Sequence, residues 1–315
     1  VKVGGQVKRL TLEAGTADAG RTLQALLHER CGLSHSRARG LIDAGGVRLV
    51  GGHPIPAGEY GRRLAPGERF EVELDPARRY QPKKKERPGR GYRVVHRDDD
   101  ILVVDKGPEV LSVPTPLSDE DSLVDRILES ERERGVKHAS LFPVHRLDRD
   151  TSGLLLFARN HRAHVELKAS FAERAIERRY LAVVEGRLEQ EQGKFESRLV
   201  EDPKSLKVKS TTRPGEGREA TTEYRVTERL PRATVVTVRL VTGRKNQIRV
   251  HFAEARHPLV GDRRYGRPSP HIGRAALHAA SLAFRHPADA RRMTFASPLP
   301  ADLRGLLRSL RSRPA

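Results

Sequence analysis

The stretch from Val144 to Phe157, VHRLDRDTSGLLLF, places the tightest limit on what this chain can become. An apolar approach runs into His145, Arg146, Asp148, Arg149 and Asp150, then into Thr-Ser-Gly, then into an unbroken apolar run. That order predicts a strand, a charged loop, a tight turn and a buried strand. A carboxylate at Asp148, flanked by Arg146 and Arg149, is an ion-pair site or a reacting group. A solvated Asp/Thr/Ser/Gly turn is the plain alternative.

A second cluster follows a β-branched run: Thr242-Gly243-Arg244-Lys245-Asn246-Gln247-Ile248-Arg249-Val250-His251. A helix starting near Asn246 puts Asn246 and Arg249 on one face and Gln247 and His251 on a neighbouring one. Arg179-Tyr180 opens another strand, where an aromatic core residue is the ordinary reading. Arg274 and His278 bracket a further apolar stretch, with a structural histidine as the default. The remaining runs predict strands at 101–104, 180–184, 221–226, 233–241 and 277–284, and a helix at 160–172. Strand runs with interspersed helices predict an α+β fold around a mixed, mainly antiparallel sheet with flanking helices.

The front of the chain is separate. Leu23, Leu26 and Leu27 share a helical face, and Ser34 can cap a second helix that stops at Gly45-Gly46. Val47 to Val50 and Phe70 to Leu74 read as strands around a Gly-Gly-His-Pro turn. Arg37, Arg39 and Arg48 fall on the polar side of this small α/β unit. Residues 76–91 are rich in Pro, Gly and like charges, including Lys83-Lys84-Lys85, and read as an extended basic linker. The division is therefore 1–75, a linker at 76–91, and a main domain at 92–315, in keeping with about two domains for this length.

Charge narrows the partners. Sixty Lys and Arg against 41 Asp and Glu leave +19, a balance that suits a polyanion, nucleic acid first and an anionic membrane second. Six Tyr, eight Phe and no Trp count against a broad stacking platform for single strands. No apolar run reaches membrane-spanning length, and the first residues lack a signal-peptide core. The single Cys31 excludes an intramolecular disulfide and a multi-cysteine zinc site. The expectation is a cytoplasmic monomer that binds RNA and no membrane.

The segments HRLDRDTSGLLLFA, RRYLAVVEG, TTEY, TGRKNQIRVHFA, GDRRYG and LHAASLAF resemble, in order, the pattern of RluA-type pseudouridine synthases over about Val94 to Pro300. SHSRARGLIDAGGVRLVGG resembles the S-four RNA-binding module of ribosomal proteins, which precedes the catalytic domain in several members. The resemblance implies isomerisation of uridine in RNA without a cofactor or metal. Ribosomal RNA of the large subunit is the first implied target and transfer RNA the second. It implies that Asp148 is the essential carboxylate, attacking the ribose or removing its carbon-2′ proton, kept ionised by Arg249. It further implies that Tyr180 stacks on the target base and that Arg146 fills the gap left by the flipped uridine. Arg149, Lys106, Arg244, Asn246 and Gln247 are the expected RNA contacts beside them, with Arg37, Arg39 and Arg48 in front. Two departures stand out: Asn246 replaces the family's usual His, and Asp105-Lys106-Gly107-Pro108 carries one extra residue. A metal-dependent nuclease using Asp148, Asp150 and His145, and a non-catalytic RNA-binding or ribosome-assembly protein, are the competing readings.

Overall fold

The computed structural model describes residues 7–56, 59–75, 80, 91–115, 121–136, 138–203 and 205–312. Two compact units result, Val1–Arg87 and Pro88–Ala315. Most of the expected linker, with its Lys83-Lys84-Lys85 run, lies outside the described residues. Tyr80 is described, and it belongs to the front unit. Its ring is buried with the front core, and its hydroxyl accepts from the Asp75 backbone N–H at 2.8 Å.

The front unit contains β1 (Lys8–Glu13), α1 (Leu23–Cys31), α2 (His35–Asp43), β2 (Val47–Leu49) and β3 (Arg69–Leu74). Thr22 caps α1 by accepting from Ala25 N–H, and Gly32 ends it in the left-handed region at φ 64°. Ser34 caps α2 in the same way through Arg37 N–H. The strands form one antiparallel sheet in the order β1-β3-β2. Phe70, Val72 and Leu74 alternate inward along β3 and meet Leu23, Leu26, Leu27, Leu41 and Ile42 from the helices.

The main unit runs through β4 (Tyr92–Arg97), β5 (Ile101–Lys106), α3 (Leu123–Glu133), β6 (Phe142–Pro143), β7 (Ser152–Ala158) and α4 (His161–Ala172). It continues with β8 (Glu177–Glu185), β9 (Gln192–Glu201), β10 (Val208–Thr211), β11 (Arg218–Leu230), β12 (Ala233–Leu240) and α5 (Gln247–Glu254). It ends with β13 (Leu277–Arg285), β14 (Arg292–Ala296) and α6 (Ala301–Arg311). The sheet order is β10-β9-β11-β12-β8-β13-β7-β5-β4, with β14 beside β13 and β6 beside β7. Its pairs are antiparallel except β13 with β7. The fold is thus α+β on a mixed, mainly antiparallel sheet.

Every residue of β7 is buried, because both faces of the sheet are covered there. Leu155 and Phe157 pack with α3 and α5 on one face, and Leu154 and Leu156 with α4 on the other. Truncating a buried ring such as Phe157 would cost about 3–5 kcal/mol. The Leu303, Leu306 and Leu307 stripe of α6 covers Val183 and Val235. Among the described residues no helix is long and apolar enough to cross a membrane.

The expected turn closes earlier than Thr-Ser-Gly, with Thr151 N–H donating to the Asp148 carbonyl, and Ser152-Gly153 already belong to β7. Gly153 sits at φ 112°, and a Cβ there would lie 2.3 Å from the Ala279 carbonyl oxygen. Glycine is required because β13 approaches this close in the parallel pairing, and no local turn demands it.

Candidate active site

The loop between β6 and β7 is held by its backbone. Ser112 Oγ donates to the Leu147 carbonyl at 2.7 Å and accepts from the Leu147 N–H at 3.1 Å. Lys106 Nζ donates to the Arg149 carbonyl at 2.9 Å, and Arg274 Nη1 donates to that of Asp150 at 3.0 Å. Asp148 therefore stands between tethered peptide groups, with its own carbonyl accepting from Thr151 N–H. A side chain mounted this way needs little reorganisation to react.

Asp148 and Tyr180 line a cavity of about 530 Å³ together with Arg146, Lys168, Phe171, Arg174, Arg178 and Arg244. A smaller recess of about 50 Å³ beneath it adds Thr151, Asn246 and Arg249 to the same pair. Tyr180 reaches the site from β8, where only 5% of it is exposed. About a quarter of the Asp148 side chain, 24%, meets solvent. A concavity of about 610 Å³ around Arg179, Lys194, Glu223 and Arg239 is larger but contains none of Asp148, Tyr180 or Arg249.

Arg249 Nη1 lies 3.8 Å from Asp148 Oδ2, so the two charges do meet. The main partner of Arg249 is nevertheless Asp262. Nε and Nη2 each donate to that carboxylate at 2.7 Å, in the fork geometry guanidinium favours. Nη1 also donates to Asn246 Oδ1 at 3.0 Å, and the guanidinium lies over Tyr265 at 5.1 Å. Burial alone would raise Asp262, but Arg249 and two backbone N–H donors hold it below the usual carboxylate range.

Arg249 favours ionised Asp148 as the resemblance implies, but it is not the sole influence on that carboxyl. Burial pushes the Asp148 proton affinity above the ordinary carboxylate range, against the pull of Arg249, Arg146 and Lys106, and the negative charge of Asp262 adds to the rise. Arg249 is shared, and desolvation outweighs its share. Burial also raises the Tyr180 hydroxyl, with Arg178 opposing.

The other expected contacts divide. Arg146 is exposed at the mouth and lines both cavities. Arg244 lines both as well, its Nε donating to the Glu219 carbonyl at 2.9 Å. Arg149 is exposed and enters the site through its carbonyl. Asn246 precedes α5 in the left-handed region at φ 55°, which Asn tolerates better than most residues, and its side chain bridges Arg249 and the Tyr265 hydroxyl.

Lys106 and Gln247 are corrections. Lys106 is 1% exposed and spends its ammonium on the carbonyls of Gly107, Val110 and Arg149, so it cannot reach RNA. Gln247 is 2% exposed and ties Thr242, Arg244 N–H and Thr222 together. His145 Nε2 accepts from the Leu156 backbone N–H, so its ring supports β7 and does not join Asp148 and Asp150 as a nuclease would need. His278 Nδ1 pairs with Ser152 Oγ at 2.9 Å, a structural role. Arg37 and Arg48 are exposed in the front unit, while Arg39 lies over the Tyr60 ring at 5.4 Å. Sequence reasoning missed Asp262, although it stands in the GDRRYG segment, and Arg178, whose two-residue spacing from Tyr180 on a strand was a usable signal.

Comparison with known proteins places the chain in a family. Residues 100–254 match the RNA pseudouridylate synthase family. A Mycobacterium bovis protein named as an uncharacterized RNA pseudouridine synthase is 36% identical over 308 residues, 93% of this chain and 95% of that protein. A ribosomal large subunit pseudouridine synthase D of Zymomonas mobilis is 32% identical over 292 residues, covering 88% and 90%. Among solved structures, human RNA pseudouridylate synthase domain containing 1 superposes with a TM-score of 0.56 at 25% identity, over 73% of this chain and 99% of that one.

Proposed function

The chain belongs to the RNA pseudouridylate synthase family, and from that premise we propose that it isomerises uridine in large-subunit ribosomal RNA with Asp148 as the reacting carboxylate. The observation that carries the assignment of Asp148 is its position: an anion on a tethered loop at the floor of a cavity lined by cations, with Tyr180 and Arg249 beside it.

The reaction breaks the bond between N1 of uracil and the anomeric carbon, turns the base, and joins carbon-5 to the ribose. Carbon-5 loses a proton and N1 ends with one, so the product is an isomer and no redox or group-transfer cofactor is required. Ionised Asp148 serves either as nucleophile at the ribose or as base at carbon-2′. Tyr180 offers a ring face to the base and a hydroxyl near carbon-5. Arg146, exposed at the mouth, is suited to occupy the space the uridine vacates, which offsets part of the few kcal/mol that flipping costs.

The front unit acts as an S-four-like RNA-holding module: two capped helices followed by a hairpin, with Arg37 and Arg48 free for phosphates. The site is assembled within one chain, which suits a monomer working on RNA in the cytoplasm. The test is incubation of the purified protein with unmodified large-subunit ribosomal RNA and with transfer RNA, followed by pseudouridine mapping. The wild type should convert defined uridines in the ribosomal RNA. Asp148→Asn should convert none while binding within a few-fold of wild type. Wild-type turnover by Asp148→Asn would overturn the assignment of the carboxylate, and conversion of transfer RNA alone would overturn the substrate.

A further inference from the structure

Arg178 is a cation that the reading above leaves without work. It precedes Tyr180 by two residues on β8, so both side chains leave the same face of the strand and line the same cavity. Its guanidinium is fixed over the Phe171 ring, 5.1 Å from the centroid. Gly243 lies close against its tip, where a Cβ would stand 2.8 Å from Arg178 Nη1.

Its polar edge is poorly satisfied. Nε is shielded from solvent and has no hydrogen-bond acceptor among the described residues. Nη2 lies 3.5 Å from the Leu240 carbonyl, at the limit of a hydrogen bond. Arg178 makes no ion pair among the described residues, whereas Lys245 on the same wall is paired with Glu201; Arg244 meets only the backbone carbonyl of Glu219. Among the described residues Asp148 is the only carboxylate lining this cavity, against Arg146, Lys168, Arg174, Arg178, Arg244 and Lys245. A buried guanidinium edge without an anion is costly unless a ligand completes it.

We propose that Arg178 is the receptor for a phosphodiester of the RNA strand that enters the cavity, anchoring the backbone beside the base that meets Tyr180. The proposal rests on the RNA reading above and adds the group recognised. A phosphate fits better than a uracil carbonyl, because it supplies the missing charge and two oxygens for a planar fork. Arg178 is in this sense a positioning residue: it sets where the sugar stops over Asp148.

The experiment uses the full chain and a stem-loop transcript carrying a uridine that the wild type converts, or the whole large-subunit transcript if none is converted. Affinity is measured against salt for wild type, Arg178→Gln, Arg178→Lys and Gly243→Ala. One lost phosphate contact should lower the salt slope by about 0.7–0.9 and weaken binding on the order of tenfold in Arg178→Gln. Arg178→Lys should keep the slope, because the charge remains. Gly243→Ala, which crowds the guanidinium without removing it, should weaken binding with thermal stability retained. An unchanged slope in Arg178→Gln, or equal losses in the Lys and Gln variants, would overturn the proposal and assign Arg178 to packing against Phe171. Pseudouridine is scored in the same wild-type samples. Its absence alongside a lowered slope in Arg178→Gln would overturn the isomerase reading and leave the phosphate receptor standing.

Discussion

Replacing Asp262 by Asn tests the electrostatic construction of the site. Asp262 is fully buried and accepts four bonds: from Arg249 Nε and Nη2 at 2.7 Å each, from Arg264 N–H at 3.0 Å and from Tyr265 N–H at 3.1 Å. Oδ1 takes three of these, and Asn can keep them. Oδ2 takes Arg249 Nε, and there the amide of Asn presents a donor to a donor. The variant therefore loses one charge-assisted bond and leaves a largely buried guanidinium with, among the described residues, only Asp148 as counter-charge. Removing one member of a buried pair costs about 3–5 kcal/mol, which for a domain of this size lowers the melting temperature by roughly 6–20 °C. The effect on Asp148 has the opposite sense. Its carboxyl is raised by burial, and the charge of Asp262 adds to that rise. With Asp262 neutral and Arg249 freed, the Asp148 carboxylate becomes easier to form, so the acid limb of kcat/KM moves to lower pH. The assay is urea unfolding combined with the pH dependence of pseudouridine formation. A stability loss below about 1 kcal/mol would show that the Asp262–Arg249 fork is not the structural anchor. An acid limb that stays in place or moves upward would refute the claim that Arg249 is shared between the two carboxylates.

Tyr180→Phe should fold as the wild type does and lose most turnover with RNA affinity retained, since only the hydroxyl is removed; unimpaired single-turnover kinetics would reduce Tyr180 to a stacking surface. Lys106→Met should cost about 1–3 kcal/mol by leaving three carbonyls short of a donor. Burial pushes the Lys106 ammonium down from 10.5 to about 7, so between those values the folded state holds fewer protons than the unfolded one, and this group's contribution to stability rises with pH. The wild type should therefore gain on Lys106→Met between pH 7 and 10.5 in parallel urea titrations, and a constant difference across that window would refute the assignment. Deleting residues 1–87 should weaken RNA binding and lower the salt slope while chemistry on a saturating short RNA survives; a large melting loss with an unchanged slope would make the front unit a scaffold.

Local signals were enough where they had a local cause. Ser34 and Asn160 announce helices because each accepts a bond from the third residue of the helix it caps, and the apolar run of β7 announces a strand buried on both faces. The helix α6 also carries a readable stripe at Leu303, Leu306 and Leu307 that the reading left unassigned. The ribbon β9 gave weak warning, because its charged residues alternate with partly exposed ones and few are buried. What remained illegible depends on distant partners. Gly153 looks like a turn residue until β13 is seen against it, and Lys106 looks like an RNA contact until three carbonyls from separate segments converge on it. Asp148 was identifiable as the candidate carboxylate, but its proton affinity was not, because the share of Arg249 taken by Asp262 appears only in three dimensions.

The close seam at Gly153 also has a consequence for how such an enzyme changes. β13 is the common neighbour of β7, which follows the Asp148 loop, and β8, which carries Tyr180. The interval between β7, from which the Asp148 loop is hung, and Tyr180 is thus gauged by hydrogen-bonded strand widths of about 4.8 Å each, a ruler set by the sheet. A side chain at 153 would wedge β7 off β13 and lengthen that ruler, whereas β9 and β10 lie at the far end of the sheet, beyond β12 and β11. Substitutions in that outer ribbon therefore leave the spacing of β7 and β8 untouched.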